Sequence, residues 1–154
     1  MKISTFIFII IAFVVCLAAC QQQPSSDIKQ ETIDSLKTTI NHLKPGLGEF
    51  MLQIKYHHDE LSKAITEKSY ERVSYEIDEL NETFGKIQQL HISNDKLQQP
   101  FPFFYDKYMK SVLEVLSGAA AKKDDAVLKT NMTALTNNCN SCHHENNMSF
   151  MKIN

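Results

Sequence analysis

The sequence predicts an all-α protein: an antiparallel up-down-up-down four-helix bundle preceded by a short N-terminal lead-in helix. Three observations predict it. Apolar residues recur at steps of three and four, the spacing of one helix face. No alternating strand pattern of useful length occurs, and chain breakers are scarce, with 4 glycines and 4 prolines in 154 residues. Four amphipathic helices of similar length, joined by short connections, bury their stripes most economically against one another.

Residues 1–19 have the layout of a secretory signal: Lys2, an apolar run and a small-residue ending. The run is too short to require a membrane span. It closes on Leu17-Ala18-Ala19-Cys20, which resembles the lipobox of bacterial lipoproteins, whose cysteine is acylated and becomes the first mature residue. Cys20 is the expected lipidation site, and Cys16 leaves with the signal; an ordinary signal cut nearby, leaving Cys20 a thiol, is the alternative. The expected location is a bacterial membrane, facing the periplasm. Gln21, in place of an aspartate, favours the outer membrane by analogy with enterobacterial sorting. Residues 20–27, Cys20 followed by the polar "QQQPSSD", are the expected tether between lipid and domain.

Removal of residues 1–19 from the 154 leaves 135, enough for one domain with its own core. Without Lys2 the balance is 15 basic against 18 acidic residues, net −3, which offers no electrostatic footprint for nucleic acid. Export also implies an oxidising compartment, where two bare thiols tend to pair unless something else claims them.

The lead-in helix is expected over 28–44, with the stripe Ile33, Leu36, Ile40, Leu43, and it stops at Lys44-Pro45-Gly46. The bundle is expected over 45–147. Its first stripe runs Leu47, Met51, Ile54, His58, Leu61, Ile65, and its second Val73, Ile77, Leu80, Phe84, Ile87. Pro100 and Pro102 open the third, which gives Tyr105, Met109, Val112, Leu116, Ala119. Asp124 is the expected N-cap of the fourth, which gives Leu128, Met132, Leu135. Residues 148–154 are expected to form a C-terminal tail. Gly85 and Gly118 fall inside helical patterns at about 1 kcal/mol each relative to alanine.

In the same rhythm the fourth stripe reaches Cys139 and Cys142, with His143 beside them, inside "NNCNSCHHENN". Both sulfurs are therefore expected to face the bundle interior. C-x-x-C-H is the attachment motif of c-type haem: two cysteines bind the vinyl groups and the histidine is an axial iron ligand. The spacing has a mechanical reason, because residues three apart share one helix face. Zinc would need four ligands, and "CNSCHH" offers three with no second C-x-x-C. A thioredoxin-like pair expects a βαβ context, and a disulfide across so short a loop contributes little.

A helical bundle with "CNSCH" near its C-terminus resembles the class II c-type cytochromes, cytochrome c-prime and its six-coordinate low-spin relatives. "PGLGEFM", "SYEIDEL" and "CNSCHH" are also similar to stretches of small bacterial cytochrome-like proteins. The resemblance covers roughly 45–147, with its specific match in the pentapeptide. It implies haem c as cofactor, Cys139 and Cys142 as its attachment points and His143 as iron ligand. Relatives often follow the histidine with an aromatic and a basic residue, whereas this chain has "HENNMSF"; the pocket electrostatics are not carried across.

The sixth iron position is ranked by height along the bundle. In this topology the first and fourth helices are antiparallel neighbours. His143 lies about four residues, or roughly 6 Å, before the end of helix four, and Met51 sits at a matching height near the start of helix one. His58 is seven residues, about 10 Å, deeper. Met51 is the expected ligand and His58 the alternative; in class II relatives the distal residue also comes from the first helix. Leu47, Ile54 and Leu135 are expected to line the haem pocket. His144 is expected to face solvent.

A filled sixth position predicts an electron carrier rather than an enzyme, with periplasmic or membrane redox proteins, and the membrane through its anchor, as partners. An open one predicts c-prime-like binding of nitric oxide or carbon monoxide. A peroxidase would need His57 or His58 as distal acid–base group. A purely structural lipoprotein is the non-redox alternative. A homodimer is compatible with every one of these.

Overall fold

The computed structural model describes residues 26–92 and 94–154. The expected signal peptide, Cys20 and the tether up to residue 25 lie outside the described residues. The chain divides into two units, 1–44 and 45–154.

In the first unit a helix, α1, spans Ser26–Leu43, so its first turn takes in two residues expected in the tether. It ends just before Pro45, whose ring disfavours helical backbone in the residue preceding it. Gln30 and Asp34 bond across one turn at 3.0 Å, and Thr38 donates to the Asp34 carbonyl. The stripe Ile33, Leu36, Ile40 and Leu43 is exposed.

The second unit is a helical bundle without strands among the described residues. Helix α2 spans Leu47–Glu67 and α3 Tyr70–Gln89. Three segments run on as one helix, α4: Phe101–Phe104, a π-helical turn at Tyr105–Met109, and Lys110–Lys122. Helix α5 spans Asp125–Glu145. Helix α2 packs on α3, α3 on α4, α4 on α5 and α5 on α2, closing a ring around one core. No helix of the described residues is long and apolar enough to cross a membrane.

The starts follow local chemistry. Glu49 Oε2 accepts from the Gly46 N–H at 2.9 Å, and Asp124 Oδ1 accepts from the Val127 N–H at 3.1 Å, as its N-cap role requires. The four ends share a device. Lys68, His91, Lys123 and Asn147 all have positive φ, 48° to 59°, and none is glycine. At each, the next residue's N–H reaches back five positions: Ser69 to Ala64, Ile92 to Ile87, Asp124 to Ala119 and Met148 to His143. These Schellman-type ends satisfy carbonyls the helix leaves open.

All five residues of the α3 stripe are buried, as are Leu128, Met132, Leu135 and Cys139 on α5. On α2 the core position near the start is held by Phe50 (3% exposed), while Met51 is only partly buried. The two are adjacent, hence about 100° apart around the helix, and Met51 turns toward a cavity rather than the packed core.

Two connections are tight, through Lys68 and Ser69 and through Lys123 and Asp124. The third is not: residues 90–100 form a long segment instead of the short connection expected. Its Gln98 N–H donates to Asn146 Oδ1 at 2.8 Å, and the buried Asn146 donates on to the Cys142 carbonyl at 2.9 Å. The tail, 148–154, is tied back to α5. Asn140 Nδ2 donates to the Ile153 carbonyl and Asn140 Oδ1 accepts from the Ile153 N–H, both at 2.9 Å.

Candidate functional site

Cys139 and Cys142 lie one turn apart on α5 and face the same way, as i and i+3 must. Cys139 is buried, Cys142 intermediate, and both are free thiols. With His143 they open onto a cavity of about 420 Å³. Across it stand Leu47, Met51 and Ile54 from the start of α2. Phe101, Phe104, Tyr105 and Met109 close another side, where the π-helical turn presents Tyr105 and Met109. Such a turn inserts an extra residue and re-aims the side chains that follow, which is why π turns recur at functional sites.

Three of the side chains the sequence grouped with the motif are therefore brought to it: Leu47, Met51 and Ile54. Two are not. Leu135 is a core residue (1% exposed) one turn before Cys139 and is absent from the cavity wall. His58 is also away from the wall; its Nε2 shares a 2.8 Å hydrogen bond with Thr136 Oγ1 and its Nδ1 a 3.2 Å one with Asp59 Oδ1. His57 turns to α3, its Nδ1 2.8 Å from Glu76 Oε2. Neither histidine is placed to act on a cavity occupant. His144 is exposed, as expected.

His143 makes one decisive contact. Its Nδ1 lies 2.7 Å from the Met151 carbonyl oxygen. A carbonyl can only accept, so Nδ1 carries a proton, and in the neutral ring the lone pair is on Nε2.

Burial pushes the Cys139 thiol up to about 12, with the neighbouring Cys142 adding to it. Burial, then the Glu145 carboxylate, pushes Cys142 up to about 11. Disulfide-exchange cysteines have lowered values instead, so this pair lacks the electrostatics of a thioredoxin-like centre. Among the described residues no three His, Cys, Asp or Glu side chains converge as a metal-ion ligand set.

The charged side chains on the wall are all cationic: Lys55, Lys96 and Lys152, each exposed at the mouth. Lys55 is paired with Asp59 at 2.6 Å. Among the described residues no ion pair engages Lys96 or Lys152.

No protein-family model, curated protein or solved structure matches the chain.

Sequence reasoning missed much of the wall: Phe101 and Phe104 on α4, Asn94, Lys96 and Leu97 in the 90–100 segment, and Met148, Met151, Lys152 and Ile153 in the tail. The phenylalanines could have been found by continuing the α4 stripe backwards from Tyr105. Nothing periodic marks the others, which arrive through Asn146 and Asn140.

Proposed function

We propose that this chain is a monohaem c-type cytochrome that carries electrons. Haem would be held covalently by Cys139 and Cys142, with His143 on the iron. One observation carries the reading: two thiols one turn apart, both free, and a histidine whose Nε2 has no hydrogen-bond partner among the described residues open onto one apolar cavity. A porphyrin brings four ligands of its own, so one or two protein ligands suffice. The residues present suit the group in three ways. The wall accepts a flat apolar ring, the thiols can add across two vinyl groups, and the lysines at the mouth match an edge bearing two carboxylates. Bound there, haem would supply a one-electron ferric/ferrous couple.

The chain's own residues do the rest. Cys139 and Cys142 would tether the group at two points, and His143 would present Nε2 to its metal. Phe101, Leu47 and Ile54 exclude water, which favours the less charged ferrous state and limits ligand exchange. Met51 stands on the α2 wall and is the proposed sixth ligand, in an up-down-up-down arrangement that sets the start of α2 beside the end of α5. The flanking Leu47 and Ile54 are apolar, and this favours a second reading if Met51 stays off the iron: a five-coordinate centre that admits nitric oxide or carbon monoxide. Residues 1–19 are proposed as a lipoprotein signal, Cys20 as the acylated anchor and α1 as a lead-in helix. The protein would face the periplasm on a membrane, with membrane-bound or periplasmic redox proteins as partners.

Expression of the whole chain with haem-maturation machinery tests the reading. A pyridine haemochrome assay should give one covalent haem per chain. Cys139→Ser or Cys142→Ser should shift the haemochrome band to longer wavelength, since one vinyl group is then left unsaturated. Wild-type chain without covalent haem overturns the proposal.

A further inference from the structure

We propose that residues 148–153 form a positioning strap for His143 and that Asn140, inside the haem-attachment motif, is the anchor of that strap. The inference rests on the haem reading above and deepens it.

The strap has three fixed points. At its start the Met148 N–H donates to the His143 carbonyl at 2.8 Å, after Asn147 turns the chain back with φ 59°. At its end Asn140 grips the backbone of Ile153 from both sides, donor to carbonyl and acceptor to N–H, at 2.9 Å each. Between them the Met151 carbonyl accepts from His143 Nδ1 at 2.7 Å. Asn140 precedes His143 by three residues, so both rise from one face of α5. An amide side chain can supply a donor and an acceptor together to the backbone C=O and N–H of one residue.

Hydrogen bonding at Nδ1 fixes ring orientation and tautomer and makes Nε2 a stronger donor. A stronger donor favours the ferric state. Loss of the strap therefore raises the reduction potential. Asn140 is not on the cavity wall and would act through the strap, as a positioning residue.

The test uses holoprotein. Asn140→Ala should favour the ferrous form by about tenfold, the low end for loss of such an outer partner, or about 59 mV for one electron. The His143 Nδ1 proton, followed by NMR, should exchange with deuterium faster. Ser141→Ala, an exposed neighbour in the same motif that makes no strap contact, should change neither. A chain ending at Ser149 lacks the Met151 carbonyl and should reproduce the Asn140→Ala potential. An unchanged potential in both variants, with haem still attached, overturns the strap and leaves the haem reading intact. Wild-type chain that attaches no haem overturns the haem reading instead. Should neither variant yield holoprotein, wild-type amide exchange decides: the Ile153 N–H should be protected, and exchange at the free-peptide rate overturns the proposal.

Discussion

His58 of α2 and Thr136 of α5 are joined by a 2.8 Å hydrogen bond between Nε2 and Oγ1. His58 is 2% exposed, so the bond ties two helices together inside the bundle. Thr136 Oγ1 also lies 3.1 Å from the Met132 carbonyl, so its single hydroxyl proton serves either that carbonyl or Nε2. A histidine on an inward stripe is thus hydrogen-bonded within the bundle.

That burial makes stability pH-dependent. Desolvation, the largest cause, holds His58 below its ordinary 6.5 against the upward pull of the Asp59 hydrogen bond and charge, with Lys55 assisting. The unfolded chain then binds more protons than the folded one as pH falls, so stability rises with pH. The contribution is complete above 6.5 and is lost as pH falls below it, toward the folded-state value. Urea midpoints measured on both sides of that value should show the loss in wild type, and His58→Gln should show less of it. Equal pH dependence in the two would refute the assignment.

Met51 should reveal itself in spectra more than in stability, since it is only partly buried. Met51→Ala holoprotein should turn from low-spin to high-spin and gain carbon monoxide binding in the reduced state. Met51→His should lower the potential, because methionine ligation raises it relative to bis-histidine. A wild type already high-spin would move the protein to the gas-binding reading.

Lys96 and Lys152 should select an anionic edge. Full-length chain made without haem maturation should bind protoporphyrin about fivefold more tightly than its dimethyl ester, since two exposed charge pairs contribute about 0.2–1 kcal/mol each. Porphyrin fluorescence reads this directly. The Lys96→Gln, Lys152→Gln double variant should bind both alike, and added salt should erode the wild-type preference. Discrimination that survives the double variant would place the carboxylates elsewhere.

Two residues stand where the other's chemistry belongs. Gly118 lies exposed within α4, and a Cβ there would meet nothing within 4 Å. His91 ends α3 with φ 48°, a conformation that costs an L-residue about 1–2 kcal/mol. Gly118→Ala and His91→Gly should each stabilise the fold by about 1 kcal/mol in chemical denaturation. A loss of stability in either would show a contact at that position worth more than the backbone term.

The helices and their inward faces were legible before any coordinates, because burial of a helix face imposes a period that survives in one dimension. Val73, Ile77, Leu80, Phe84 and Ile87 could be assigned to the core by counting, and Asp124 to the α5 cap by residue type. So could the convergence of Cys139, Cys142 and His143 with Leu47, Met51 and Ile54, since all lie on stripes near helix ends. Leu135 and His58 show the limit of that method. Period places a side chain on a face and not at a depth, and both sit too far down the bundle to reach the cavity.

What only the tertiary structure decided is the part of the site built from irregular chain. The 90–100 segment and the tail carry no period. They are placed by single polar contacts, Asn146 to Gln98 and Asn140 to Ile153, whose partners lie 48 and 13 residues away. A hydrogen bond needs two atoms to meet in space, and a sequence lists them without saying that they do. The tautomer of His143 belongs here too, because it depends on where the backbone of Met151 comes to rest.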